Sequence, residues 1–357
     1  MYVIINTGTS YQEETSVKII ISKDATQYGD IELNYPNMIK YTNWYTVMPS
    51  TIGSLIGMCC GLYPYETKRT LYEDTTLPEG HRNIFTMFDR TKIITWSGLL
   101  EPKYYERIRV FDKVTTKVSF PYDDIAFGIA KLSDHVDGPE DLVWLHYPHT
   151  MPTNPHPCST CCLYGEINAL VTRFPYAEIF VTADHGMLRG EMGCFDYGWF
   201  LWEPVVKVPL YIINREQTYR ECTTLGTHKD FIELVHGAER FREQIIIETL
   251  YKGQRGRLIG ARNKDWKLIH NVDKKLDALY YFGEWYFNPW KVPIAISCRE
   301  HNNVLETYNS KYRGQELLRW EMGHVNPDAL TSKEVTAAHT ELKDVVMEIL
   351  TSEEQDA

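Results

Sequence analysis

The sequence predicts an α/β protein: a mainly parallel sheet with helices on both faces, followed by a small C-terminal α+β subdomain. Three observations predict it. Runs of β-formers alternate with helix-compatible runs over most of the chain. Polar, chemically loaded stretches stand directly after several of those runs. Beyond Leu258 the pattern changes to short, hairpin-like pairs. Alternating strands and helices build a parallel sheet covered on both sides, and ligands bind such sheets beyond the carboxyl ends of the strands.

The elements follow in order. Tyr2 to Asn6 clusters β-formers before Thr7-Gly8 and reads as a buried strand ending in a turn, and a second β-rich run covers Val17 to Ser22. Ser54 to Cys60 suits a helix, closed by Gly61 with Pro64 beyond it. Leu142 to Leu145 reads as a strand, after which Pro148, Pro152, Pro155 and Pro157 forbid regular structure. Glu178 to Thr182 is a strong buried strand leading into Ala183-Asp184-His185-Gly186, and Val206 to Ile213 reads as another. Phe231 to Val235 suits a short helix, Lys267 to His270 and Ala278 to Tyr281 a small sheet, and Ser332 to Leu350 a terminal helix. Without a Gly/Ser linker or internal repeat, a catalytic core over 1–240 and a subdomain over 241–357 must pack directly on each other.

Composition excludes several classes. Lys plus Arg number 37 against 48 Asp plus Glu, a net charge of −11, too acidic for a general nucleic-acid binder. With 43% apolar and 24% charged residues, wholesale disorder is excluded. No apolar run is long enough to span a bilayer, so no transmembrane segment is expected. The opening MYVIINTG is too short and lacks the basic start of a signal peptide, which makes a cytoplasmic location the expectation. Cys158, Cys161 and Cys162 carry half of a zinc-site spacing, but no second CxxC pair lies nearby; core or loop thiols are the favoured assignment.

Asp184-His185, directly after a buried strand, is the best candidate metal site. A carboxylate and an imidazole on adjacent residues can turn toward one cation, and the imidazole favours Zn or Mn over Ca. An Asp capping the next segment beside a solvent-facing His fits the spacing equally well.

A family resemblance bears on the choice. Val181-Thr182-Ala183-Asp184-His185-Gly186-Met187, with Gly190-Glu191 and Lys207-Val208-Pro209-Leu210, resembles the sulfatase branch of the alkaline-phosphatase superfamily. So does Pro49-Ser50-Thr51-Ile52-Gly53-Ser54-Leu55 through Gly61-Leu62-Tyr63-Pro64, which is similar to the nucleophile helix of that family. The resemblance puts Thr51 where sulfatases carry the cysteine that becomes formylglycine. Phosphoethanolamine- and phosphoglycerol-transferase relatives use threonine there. Pro148-His149-Thr150 resembles the strand-end segment whose histidine contacts the substrate ester, and His146 stands beside it. Gly80-His81-Arg82 resembles, more weakly, a segment that would bring Arg90 near an anion-binding position.

The resemblance implies an alkaline-phosphatase-like core and a divalent metal, Zn or Mn rather than Ca, held by Asn6, Thr51, Asp184 and His185. It implies catalysis by Thr51 and His149 on a small anionic phosphate or sulfate ester or a glycan. A threonine hydroxyl is a poor nucleophile that needs a metal, and a helix N-terminus at Thr51 would hold the anionic group. Three positions depart from the pattern. Asn6 stands where the first strand should deliver a carboxylate, Met192 replaces a histidine, and Tyr197 lies where a substrate lysine is common. Loss of the carboxylate at Asn6 makes a catalytically degenerate, sulfatase-like binding or scaffold protein the alternative to a hydrolase or transferase.

Overall fold

The structure is a computed structural model that describes residues 17–67, 77, 80–100, 110–138, 140–149, 158–189, 197–198, 200–217, 219–249, 257–281, 295–298 and 332–355. Its strands are β1 (Lys18–Lys23), β2 (Met38–Tyr41), β3 (Trp44–Tyr45), β4 (Thr91–Trp96), β5 (Thr116–Phe120), β6 (Leu142–Tyr147), β7 (Glu178–Ala183), β8 (Leu210–Ile213), β9 (Glu221–Cys222) and β10 (Gly226–Thr227). The last five are β11 (Ile245–Thr249), β12 (Leu258–Arg262), β13 (Trp266–Asn271), β14 (Leu276–Tyr281) and β15 (Ala295–Cys298).

The large sheet has the order β5-β4-β6-β1-β7-β8-β2-β9, and within it only β8 runs against the rest. β1 lies in the middle, where a strand must bury both faces, and its Lys-Ile-Ile-Ile-Ser-Lys sequence supplies a continuous apolar run. Strand alternation then divides the core. Ile19 and Ile21 join Val143, Leu145, Ile179 and Val181 on the face covered by the helix Cys158–Arg173. Ile20 faces the other way with Leu142, Trp144 and Phe180, toward the helices Thr51–Cys60 and Phe231–Val235.

Several expected elements shift. Tyr2 to Asn6 lies outside the described residues, and the sheet centre belongs instead to the second β-rich run. The strand expected over Val206 to Ile213 begins only at Leu210, because Pro204 opens a short helix, Glu203–Val206. Cys158 starts a helix rather than a loop, once the prolines before it are passed. β4 and β5 were not expected: Lys92-Ile93-Ile94-Thr95 is too short a β-run to stand out, and β5 is a largely exposed edge strand.

The second sheet, β11-β12-β13-β14-β15, is wholly antiparallel. The helix Ser332–Gln355 covers it with Leu342, Val346 and Ile349, spaced to share one helical face, against Ile259, Ala261, Leu268 and Leu279. This sheet is fastened to the core by a buried ion cluster. The Glu203 carboxylate accepts from Lys267 Nζ at 3.1 Å and from the Tyr45 hydroxyl at 3.0 Å, with Arg262 3.9 Å away. Burial alone would raise the Glu203 pKa, but the Arg262 and Lys267 charges bring it down to about 2. Among the described residues no helix is long and apolar enough to cross a membrane.

Candidate metal and ester site

Register alone assembles the site. β1 pairs in parallel with β6 and β7, so that Lys23 is level with both Tyr147 and Ala183. The next residues along the three strands are Asp24, Pro148 and Asp184, which must emerge side by side at the carboxyl edge. There β1 has one neighbour on each side, the position where open α/β sheets bind ligands.

Asp24, Asp184 and His185 are all buried, and one ligand atom from each lies within 4.8 Å of the others. His185 Nε2 is 3.5 Å from Asp24 Oδ1 and 3.7 Å from Asp184 Oδ2. The other donors are engaged in ways that aim these atoms inward. His185 Nδ1–H donates to the Gly186 carbonyl at 2.7 Å, which leaves Nε2 as a lone pair facing the cluster. Asp184 Oδ1 accepts from the backbone N–H groups of His185 at 2.7 Å and Ala25 at 3.1 Å. Ala25 adopts a φ of 53°, left-handed backbone that a non-glycine residue rarely takes, as the chain turns after Asp24. Gly186 is required sterically: a Cβ there would stand 1.9 Å from the Pro204 carbonyl oxygen.

The remaining oxygens, Asp24 Oδ1 and Asp184 Oδ2, are buried and have no hydrogen-bond partner. Two buried carboxylate oxygens without donors, set beside an imidazole lone pair, suit a divalent cation. The electrostatics agree. Burial pushes the Asp184 carboxyl up to about 7, Asp24 adding to the shift and His185 opposing it. Burial acts in the same sense on Asp24, but the hydrogen bond from His149 and the nearby His185 outweigh it and hold its pKa below normal.

Thr51 opens the helix Thr51–Cys60, and its Oγ1 lies 3.3 Å from His185 Nε2. Two glycines let this helix pack closely on the segment that leads into it. A Cβ on Gly53 would meet the Met48 side chain, and one on Gly57 would meet Val47. Ser54, one turn on, donates to the Asp184 carbonyl and bonds His228 Nδ1 at 2.9 Å, which ties the helix to the Asp184-His185 turn. His149 Nδ1–H donates to Asp24 Oδ2 at 3.1 Å. Burial lowers the His149 pKa, but the Asp24 hydrogen bond and charge raise it on balance.

The structure therefore brings together Thr51, His149, Asp184 and His185. Asn6 lies outside the described residues, and the carboxylate at the sheet centre is Asp24. Its signal was legible: the Val17 to Ser22 β-run is followed at once by Lys23-Asp24. His146 is wholly buried, bonded to Ser22 Oγ at 2.6 Å and stacked on Trp96, and burial lowers its pKa to about 4. It lies within β6 and ties that strand to Ser22 of β1 and Trp96 of β4. Arg90 does not approach the site. It precedes β4 at the amino edge of the sheet, paired with Asp141 at 2.7 Å, a full strand length from Asp24. Met192 lies outside the described residues. Tyr197 does stand in the site, its ring 4.5 Å from that of His185 and 6.2 Å from that of His149.

No family model and no curated protein sequence matches the chain. Solved structures do. A 2-O GAG sulfatase aligns at a TM-score of 0.61 with 11% identity, covering 85% of this chain and 94% of that one. A phosphonate monoester hydrolase from Silicibacter pomeroyi aligns at 0.58 with 11% identity, covering 87% and 96%. A protein in the alkaline phosphatase superfamily from Vibrio parahaemolyticus aligns at 0.53 with 12% identity, covering 80% and 84%. At such identities the likeness is one of architecture, and it agrees with the strand order and edge geometry described above: the chain has the sulfatase-like fold of the alkaline-phosphatase superfamily.

Proposed function

We propose that the protein is a metal-dependent hydrolase of phosphate or sulfate esters that uses Thr51 as its nucleophile. The observation that carries this is the meeting of two unpartnered buried carboxylate oxygens, Asp24 Oδ1 and Asp184 Oδ2, with Thr51 set 3.3 Å from His185. Asp24, Asp184 and His185, with Thr51 beside them, would hold the cation, and the imidazole favours Zn or Mn over Ca. When bound, such an ion polarises the ester and favours the alkoxide of an adjacent hydroxyl.

The chain's own residues account for the remaining steps. The Thr51 hydroxyl gives up its proton to water, and Oγ1 forms a bond to phosphorus or sulfur as the bond to the ester oxygen breaks. The helix N-terminus at Thr51 directs backbone N–H groups at the anionic group. His149, kept inclined to protonation by Asp24, gives its proton to the departing oxygen. Water, or an acceptor alcohol in a transferase, then resolves the threonine ester. A sulfated or phosphorylated sugar is within the substrate class, given the glycan sulfatase among the structural neighbours. Asp24 at the end of β1 supports this active reading over the alternative, a catalytically degenerate sulfatase-like binding or scaffold protein.

The test is a panel of 4-nitrophenyl phosphate, phosphonate and sulfate esters with Mn or Zn, read with mass spectrometry of the quenched protein. A phosphoryl or sulfuryl adduct on Thr51, and a loss of at least about 10³-fold in kcat with Thr51→Ala, is expected. Turnover that survives Thr51→Ala refutes the nucleophile.

A further inference from the structure

Beside the cation cluster, the carboxyl edge of the sheet carries a row of aromatic rings that the proposed chemistry does not use. Trp96 closes β4, Tyr122 follows β5, His149 follows β6, and Tyr197 completes the row. Trp96 and Tyr122 meet edge to face at 6.1 Å and 81°. Tyr122 and His149 do so at 6.2 Å and 76°, and His149 and Tyr197 at 6.2 Å and 73°. Tyr197 then leans over His185 at 4.5 Å and 31°. The row is contiguous from Trp96 to the metal-facing histidine.

All four residues of the row are only partly buried. Each is nevertheless fixed. Trp96 is backed by His146 at 5.0 Å, the Tyr122 hydroxyl donates to the His149 carbonyl, and Tyr197 rests on His185. Half-exposed rings held rigid beside an anion site form a surface that stacks on the flat apolar face of another ring, at little entropic cost. A site for inorganic anions or short alkyl esters has no use for such a wall, and leaving it wet is unfavourable.

We infer that the wall formed by Trp96, Tyr122 and Tyr197 is a substrate subsite that stacks on the ring of an aryl or sugar ester, with Tyr197 as a specificity-determining residue. The inference rests on the ester-binding reading above and narrows its substrate class to ring-bearing esters.

Isothermal titration of the full chain in Mn2+ tests it with three non-hydrolysable probes: methylphosphonate, phenylphosphonate and the C-glucosyl methylphosphonate. One or both ring probes should bind about threefold to tenfold tighter than methylphosphonate, and the ring that does so identifies the source. Tyr197→Leu should bring the ratio of ring-probe to methylphosphonate affinity close to one, and a wild-type far-UV circular dichroism spectrum reports that the variant is folded. Tyr197→Phe should preserve the ratio. Equal affinity for all three probes in the wild type, or a ratio that survives both Tyr197→Leu and Tyr122→Leu, overturns the subsite. Failure of methylphosphonate itself to bind would instead overturn the anion-site reading, and the subsite with it.

Discussion

Replacing Asp24 with Asn separates a cation site from an ordinary buried polar cluster, because the two predict opposite effects with and without metal. The Asp24 and Asp184 ligand oxygens lie within 4.8 Å of each other. At that distance and an effective dielectric of about 20, two ionised carboxylates repel by about 3.5 kcal/mol. At pH 8, above the value of about 7 to which burial raises Asp184, both are ionised in the metal-free protein. Asp24→Asn removes the repulsion and weakens the charge-assisted bond from His149, which is worth about 1.5–3 kcal/mol. The net is a small gain. For 357 residues the unfolding entropy is about 0.75 kcal/mol/K, so Tm of the metal-free variant should rise by about 1–3 °C. With Mn or Zn at a hundred times its dissociation constant, the wild type gains about 2.7 kcal/mol, or about 4 °C. The variant, lacking one ligand and one charge, should show little of that shift. The two sets of melting curves therefore cross on adding metal, and scanning calorimetry at pH 8 reads this directly. An equal metal-induced shift in both proteins would remove Asp24 from the site. A fall of several degrees in the metal-free variant would refute the repulsion.

Other outcomes follow from the same geometry. Gly186→Ala sets a Cβ against the Pro204 carbonyl oxygen and should cost about 1–3 kcal/mol or more, with weaker metal uptake in the same titration; wild-type melting and affinity would contradict it. Glu203→Gln leaves Lys267 and Arg262 buried without their counter-charge and should cost about 3–5 kcal/mol, read by urea unfolding; a neutral result would mean that the second sheet does not depend on this cluster. Asp277 accepts from His270 at 2.6 Å, His339 at 3.1 Å and Lys343 at 2.9 Å, and fastens the helix Ser332–Gln355 to its sheet. Burial would raise its pKa, but these hydrogen bonds, led by that of His270, depress it far below normal. A depressed carboxyl contributes stability that is complete above its unfolded pKa, near 3.8, and is lost as pH falls below that value toward the folded pKa. Asp277→Asn should therefore be less stable than wild type at pH 7, and the gap should narrow below about pH 4. A gap independent of pH would refute the linkage.

Much of the site was legible because its chemistry is local in sequence. Asp184-His185 and His149 each follow a strand directly, and Thr51 opens a helix whose Gly61 terminus, at φ 66°, is written in the sequence. Asp24 was equally local, but the β-run at Tyr2 to Asn6, which lies outside the described residues, competes with Lys18–Lys23 for the role of the carboxylate-bearing strand. Two runs of β-formers, with residues 7–16 between them, cannot be ranked by composition, since either satisfies the same propensity.

The sequence by itself determined the α/β class, the strand-end positions of the reactive groups, and the change to hairpins after Leu258, since all three are periodicities and turn signals within short windows. Only the tertiary structure decided which strand is central. That depends on the register that makes Lys23 level with Tyr147 and Ala183, a pairing across more than a hundred residues. The same pairing sets Asp24 against Asp184, sends Arg90 to the opposite edge with Asp141, and gathers Trp96, Tyr122 and Tyr197 from separate segments into one wall. Such contacts are fixed by packing both faces of one sheet at once, a condition that no local window of residues contains.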